Sequence, residues 1–150
     1  SHGFNFHVPI ETSDSNEEVG RIWFFGTGRW ECIGQIGRDC IRRDQIEWYK
    51  RASKHIPLDN KFRENGIAFM HTPLQEHLYM VNSVPVHGQR RDYTECQAMN
   101  TGFFAEILQQ KTIQWVSVGL DHSTDYWGTY GGVGLSYGRK TGFGSYGPKF

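Results

Sequence analysis

The sequence has no surplus of charge of either sign: its sixteen basic residues balance sixteen acidic ones, for a formal charge of zero. A nucleic-acid partner held by phosphate neutralisation requires a basic face, so this balance argues against one. The cluster Arg38, Arg42 and Arg43 is short and interrupted by Asp39 and Asp44, and does not alter that exclusion. No apolar run approaches the ~20 residues that a membrane-crossing helix needs. No charged-then-apolar leader opens the chain, and no membrane partner is expected. Cysteine is scarce. Cys32, Cys40 and Cys96 leave at least one thiol unpaired, and the eight-residue separation of the first two fits no zinc-ribbon spacing. A Cys32–Cys40 disulfide suits a secreted parent and free buried thiols suit any other, so the compartment stays open. The opening Ser1-His2 is consistent with a cleaved tag and with missing upstream residues.

Hydrophobic residues are also few, at 37%, but aromatics make up 15%, so the core is expected to be built largely from rings. A length of 150 residues predicts one domain over residues 1–150. A chain of this size buries roughly 68–70% of its unfolded surface, enough for a real core.

Two apolar runs end in histidines. One is Gly66-Ile67-Ala68-Phe69-Met70-His71-Thr72-Pro73, and the other is Val116-Ser117-Val118-Gly119-Leu120-Asp121-His122. A buried strand that halts at a polar loop is how α/β folds present ligands at the carboxyl edge of a sheet. Two imidazoles so placed predict a metal site. Leu120 stands where a further ligand is expected.

The rest of the chain supplies the frame. Residues 11–18 read as an exposed acidic loop. Arg21-Ile22-Trp23-Phe24-Phe25 forms a strand closed by Gly26, and residues 27–37, with three glycines and Trp30, are irregular. Asp44 is the expected N-cap of a helix in which Ile46, Tyr49, Ala52, Ser53 and Ile56 recur at helical spacing before Pro57 stops it. Residues 78–86 suit a strand, but Pro85 and the nearby histidines suit a long functional loop equally. Asn100 or Thr101 caps a second helix burying Phe104, Ile107 and Leu108, and residues 113–118 form the second histidine strand. From Gly128 onward, eight glycines in twenty residues alternate with aromatic and aliphatic residues, predicting short antiparallel strands. Gly142-Phe143-Gly144-Ser145-Tyr146-Gly147 matches the dinucleotide fingerprint by letter. That fingerprint needs a following helix and an acid ~20 residues on, and the chain ends too soon for either. The order of elements is α/β, with a mixed sheet and few helices.

Four strings occur in an order that resembles one family. They are Asp44-Gln45-Ile46-Glu47-Trp48-Tyr49, Ala68-Phe69-Met70-His71-Thr72-Pro73-Leu74, Asn100-Thr101-Gly102-Phe103-Phe104 and Gly119-Leu120-Asp121-His122-Ser123-Thr124-Asp125. They are similar to the calcineurin-like metallophosphoesterases, in the branch related to purple acid phosphatases. The likeness runs from about Ile22 to Gly147 but matches only the C-terminal half of that catalytic domain. The family's upstream Asp-x-His, Gly-Asp-x-x-Asp and Gly-Asn-His motifs do not occur here.

The resemblance implies a mixed sheet with flanking helices, ending in antiparallel strands. That is half of the family's four-layer αββα sandwich. It implies that His71 binds one metal and His122 the other, in a centre of two divalent or trivalent ions (iron, manganese or zinc) acting on phosphate esters. The first histidine of the family's Gly-His-x-His motif is Leu120 here, which has no lone pair to donate. The paired cations sit ~3.5–4 Å apart and activate a water. Their remaining ligands would come from the missing N-terminal half, so the isolated chain is expected to be inactive or to bind metal weakly.

Other residues carry lesser expectations. Asp121 and Asp125 are turn-forming groups that orient imidazole. Asn100 is first a cap. His77 is a loop histidine that can protonate a leaving group. His87, Arg90 and Arg91 can meet a substrate phosphate or simply occupy an exposed loop. Trp30 and Trp127, placed in loops, are the candidate aromatic binding surface. The leading function is thus the C-terminal part of a phosphoesterase. A degenerate, non-catalytic binding or scaffolding domain is the alternative, and a sugar- or peptide-binding module the weakest reading. Half a sandwich leaves sheet surface uncovered, which predicts self-association, for example as a dimer.

Overall fold

The computed structural model describes residues 4–148. Ser1-His2 and the tag reading attached to them lie outside. Ten elements follow in the order β1 (Asn5–Glu11), β2 (Glu18–Phe25), α1 (Arg43–Lys54), β3 (Gly66–Met70), α2 (Gln75–Ser83), β4 (His87–Gln89), α3 (Phe103–Gln110), β5 (Trp115–Val118), β6 (Asp125–Tyr130) and β7 (Val133–Tyr137). The strands form one mixed sheet in the order β1-β2-β3-β5-β7-β6-β4. The run β2-β3-β5-β7 is parallel, and β1, β6 and β4 pair antiparallel to their neighbours. The α/β expectation, a mixed sheet with three flanking helices and an antiparallel end, is what the chain forms.

Period-two alternation gives the sheet two unlike faces. One register row, Trp23–Ala68–Val116–Leu135–Gly128, is buried. It packs with Phe25, Met70, Val118 and Tyr137 against Tyr49 and Ile56 near α1, Met80 of α2, and Phe103, Phe104 and Ile107 of α3. Tyr49 packs edge-on against Trp23 and Phe103, with ring centres 5.1 and 5.6 Å apart. Edge-to-face contacts of this kind add ~0.5–1.5 kcal/mol beyond burial. The core nonetheless mixes these rings with aliphatic side chains such as Ile41, Ile107, Val116 and Leu135, and is less aromatic than the composition suggests.

The opposite face has no cover. The row Phe6–Phe24–Phe69–Ser117–Ser136–Trp127–His87 crosses all seven strands in register. Phe6 stacks on Phe24 at 4.5 Å, Phe24 on Phe69 at 5.8 Å, and Trp127 on His87 at 4.5 Å. Gly134 is required in the adjacent row, where the Trp115 ring lies 2.1 Å from where a Cβ would stand.

Several expectations need correction. β1 was not anticipated, although Phe4, Phe6, Val8 and Ile10 alternate with polar or proline positions; Pro9 is tolerated because the strand is at the sheet's edge. The loop expected over residues 11–18 shrinks to a short turn. α1 begins at Arg43, so Asp44 lies inside the first turn and the N-cap is Arg42, whose backbone N–H donates to Gln45 Oε1 at 2.8 Å. α3 starts from Gly102 in a left-handed conformation, and it buries Phe103 while Leu108 is 40% exposed. The glycine-rich tail forms only the β6–β7 hairpin through Gly131 and Gly132, with no strand after Tyr137 among the described residues. Residues 142–147 lead into no helix there, in keeping with the rejected fingerprint.

The largest correction is the segment after His71. Residues 75–83 form α2, not a loop or strand, because Pro73 is followed by ten residues without a breaker, and His77 and Met80 turn inward. His77 is fully buried, and neither ring nitrogen has a hydrogen-bond partner. Burial lowers its pKa to about 4; the nearby backbone groups of Ser136, Leu74 and Val116 offset only part of this. An imidazole shut in the core cannot reach a leaving group, so the catalytic reading of His77 is withdrawn.

A pH effect follows from the same burial. The unfolded chain, with an ordinary imidazole near ~6.5, binds a proton that the folded chain refuses until about pH 4. Stability contributed by neutral His77 is complete above about 6.5 and falls away toward 4, by up to ~3 kcal/mol. Thermal melts of wild type and His77→Leu at pH 7.5 and 5 test this. The wild type should lose more on acidification, and parallel losses would sink the argument.

Candidate metal and phosphate site at the carboxyl edge

Parallel strands β2, β3 and β5 deliver their carboxyl ends to one edge, and each feeds a loop. β3 and β5 are neighbours, so His71, directly after Met70, emerges beside the Gly119–His122 turn. The Gly119 N–H donates to the His71 carbonyl at 3.2 Å. A Cβ on Gly119 would lie 3.9 Å from His71 Nδ1, which places that imidazole over the turn. His71 is exposed and its pKa is lowered, first by partial burial, then by the charges of Arg38 and His122. The two predicted metal histidines therefore share one electrostatic neighbourhood.

His122 is held more firmly. Its ring stacks on Tyr146 at 4.3 Å, and its Nδ1 lies 3.0 Å from the Tyr146 carbonyl. A carbonyl only accepts, so Nδ1 carries the proton and Nε2 keeps its lone pair. This is how metal-binding imidazoles are oriented. Tyr146, seen in the sequence only as part of a glycine–aromatic tail, is the orienting residue that sequence reasoning missed.

The carboxylates expected to orient imidazole do other work. Asp121 accepts from the Tyr137 hydroxyl and from the Glu95 N–H at 3.3 Å. Burial raises its pKa above the usual carboxylate range. Asp125 pairs with Arg139 at 3.1 Å. Asn100 donates to Glu76 at 2.7 Å and accepts from the Gly102 N–H at 3.0 Å, so it braces the start of α3. None of the three bonds either histidine.

His87 stacks on Trp127 over the open sheet face, and Trp127 lies in β6, not a loop. Arg91 donates to Gln89 at 2.9 Å; Arg90 donates to Asn82 at 3.3 Å and covers Tyr93. The structure does not bring these three to the histidines.

In their place stand arginines from the loop after β2. A cleft of about 910 Å³ is lined by His71, Arg29, Trp30, Arg38, Asp39 and Arg42, among others. The cysteines bound this loop: Cys32 and Cys40 form a disulfide and Cys96 is free. Partial burial pushes the Cys96 thiol up to about 12, so this half-buried cysteine stays a thiol rather than a reactive thiolate at neutral pH. Gly28 leaves room for the Asp39 carboxylate, whose Oδ2 would lie 1.8 Å from a Cβ there. Arg42 pairs with Asp39 at 2.7 Å, and Arg38 pairs with Glu95 and lies over Trp30. The sequence signal was the Arg38–Arg43 cluster, which charge balance excludes for nucleic acid but not for a single phosphate.

His71 and His122 suit a metal as neutral donors. The chain by itself does not fit a pair of cations. Leu120 donates nothing, the nearby carboxylate of Asp121 is spoken for, and the one three-donor group among the described residues is Cys32, Asp39 and Cys40, whose sulfurs are joined to each other. The backbone at Leu120 is unusual too, with φ of 90°, a region where non-glycine residues cost ~1–3 kcal/mol. Asn tolerates such angles and β-branched residues do not. Leu120→Ile should therefore destabilise by ~1 kcal/mol or more while the less hydrophobic Leu120→Asn costs less, measured by urea unfolding. The reverse order would mean that side-chain burial, not backbone conformation, governs this position.

No family model matches the chain. Three curated relatives from Arabidopsis thaliana do. A probable inactive purple acid phosphatase 29 is 27% identical over 155 residues, covering 98% of this chain and 40% of the relative. A probable inactive purple acid phosphatase 14 is 28% identical over 116 residues, 73% of the chain and 29% of the relative. A probable inactive purple acid phosphatase 28 is 26% identical over 136 residues, 89% of the chain and 34% of the relative. The chain thus spans two fifths or less of the length of these relatives. The chain is thus similar over nearly its whole length to purple acid phosphatase-like proteins, and that similarity, with its α/β fold and two strand-end histidines, supports the likeness to the purple-acid-phosphatase-related branch of the metallophosphoesterases.

Proposed function

We propose that this chain is the C-terminal part of a metal-dependent phosphoesterase domain that hydrolyses phosphate monoesters once its upstream half is present, and that the isolated chain is inactive. The observation that carries this reading is His122, with its Nδ1 proton tied to the Tyr146 carbonyl and Nε2 left open beside His71. In the completed domain the ions supply Lewis acidity and an activated water. The residues of this chain present two neutral imidazoles and a guanidinium-lined cleft for the ester.

A second reading has its own support. Leu120 removes a donor, and the relatives are named probable inactive phosphatases. A degenerate domain that binds phosphate esters or a protein partner without turning them over fits both facts. Metal content and turnover of p-nitrophenyl phosphate, for the chain alone and joined to the upstream segment of its parent, separate the two. The phosphoesterase reading expects little metal and no turnover in the chain alone, with both appearing in the joined protein. A joined protein that binds no metal and gains none from Leu120→His favours the degenerate domain.

The apolar row from Phe6 to Trp127 is the surface we assign to the upstream half. Left bare, it should drive the isolated chain to self-associate, and light scattering should record a dimer or larger species. Phe69→Lys, at the centre of that row, should shift the population to monomer. A monodisperse wild-type monomer at ~100 μM would count against this assignment; patches of this kind on soluble monomers are normally limited to a few hundred Å².

A further inference from the structure

The cleft that holds His71 does not end there. Trp30 and Arg38 also line a second groove, of about 440 Å³, with Leu78, Tyr79, Tyr93, Glu95 and others. The two grooves meet at the Trp30–Arg38 pair. Trp30, Tyr79 and Tyr93 are 57%, 45% and 69% exposed, so three large rings stand open along a channel running away from the histidines.

Trp30 is held stiffly. Its loop is closed by the Cys32–Cys40 disulfide and by paired hydrogen bonds between Cys32 and Gln35 at 3.0 and 2.9 Å. The Glu31 N–H donates to the Gly37 carbonyl at 2.8 Å. Glu31 and Ile33 have φ of 67° and 52°, the latter a position that a β-branched residue avoids. Strain of this kind persists only where the surroundings over-determine the backbone, and it gathers at ligand sites. Arg38 lies over Trp30 at 5.8 Å and reaches Glu95 across the groove, leaving the rest of the indole surface open. A fixed platform loses little freedom when a ring settles on it.

We propose that this second groove holds the organic part of the phosphate ester, and that the preferred substrate carries a planar ring stacked on Trp30. The proposal rests on the phosphoesterase reading for where the phosphate goes. Charge complementarity sets the polarity: Arg29, Arg38 and Arg42 crowd the His71 end, and the rings line the other. The volume suits one ring system with its linker, since small-ligand pockets run from about 300 to 1,000 Å³. A nucleoside monophosphate and an aryl phosphate such as phosphotyrosine share this chemistry.

Binding can be read without metal or turnover, by titration calorimetry on the intact 150-residue chain. The probes are adenosine 5′-monophosphate, phosphotyrosine, adenosine and glycerol 1-phosphate. At least one ring-bearing phosphate should bind about tenfold more tightly than glycerol 1-phosphate, and whichever does so identifies the class. Trp30→Ala should weaken that probe about tenfold, the scale of one stacked ring, and so reduce or abolish its advantage over glycerol 1-phosphate. Should Trp30→Ala lose its cooperative melt, Tyr93→Ala, on the exposed wall opposite, should weaken the same probe at least threefold. Equal binding of ring-bearing and ringless phosphates, or indifference to both substitutions, would overturn the proposal. Ring-selective binding by a protein that never turns over in its completed form would sink the phosphoesterase reading and leave the groove standing.

Discussion

Gln97 is buried, and all four of its hydrogen-bonding groups are in use. Its backbone N–H donates to the Pro73 carbonyl at 3.0 Å and its carbonyl accepts from Gln75 Nε2 at 3.2 Å. Its side-chain oxygen accepts from the Ile41 N–H at 3.0 Å, and its amide nitrogen lies 3.4 Å from the Thr72 carbonyl. Three separate pieces of irregular chain thereby share one residue: the loop after β2, the turn after β3, and the segment that returns from β4. Each buried amide group left without a partner would cost ~1–3 kcal/mol, so the three loops cannot drift apart cheaply. Trp30 and Arg38 arrive on the first of these loops, His71 on the second and Glu95 on the third. The geometry of the site is the geometry of that cross-link.

Beneath it lies the parallel run β2-β3-β5-β7. Parallel strands send every chain end to the same edge, which concentrates loops there and leaves the other edge to turns. The same run explains the two unlike faces. The face of Trp23, Ala68, Val116 and Leu135 is sealed by three helices, and the face of Phe24, Phe69 and Trp127 carries rings that only another layer can cover. Parallel sheets are ordinarily buried on both sides, and this one is buried on one. The loops at the edge and the bare face both follow from this one parallel run, a pattern consistent with half of a layered sandwich.

The histidine strands, α1 and the closing hairpin were legible because each rests on a local pattern. Apolar runs stop at His71 and at the Gly119 turn, helical spacing runs from Ile46 to Ile56, and Gly131-Gly132 sits between alternating strands. β1 had an equally plain alternation, Phe4, Phe6, Val8 and Ile10, which the sequence reading did not use. Helix α2 was obscured by Pro85 and the histidines around it: His77 read as a loop histidine, and nothing local shows that a histidine will be buried without a partner. Gln97 and Tyr146 carry no sequence signal at all. The role of each comes from groups far off in the chain, twenty-five residues away for the Thr72–Gln97 bond and twenty-four for His122–Tyr146. Asp121 shows the converse, a residue of the right type beside a metal histidine whose carboxylate is claimed by Tyr137.

Leu120 bears on how such a site decays. The turn around it is pinned on every side. Gly119 bonds the His71 carbonyl, the Asp121 N–H bonds the Tyr137 hydroxyl at 3.0 Å, and the His122 N–H bonds the Tyr146 hydroxyl at 3.2 Å. These bonds hold the backbone at φ of 90° whatever side chain sits at position 120. A histidine accepts positive φ more readily than a leucine, so the present residue is both chemically mute and conformationally the poorer choice. The turn therefore keeps its shape without a metal and without a donor side chain at position 120. His71 and His122 stand at the same edge, and the arginine-lined cleft and ring-lined groove are built on other loops. On the proposed reading, the elements that would bind an ester and those that would hold metal stand on different loops, so substitution at position 120 bears on the second and not on the first.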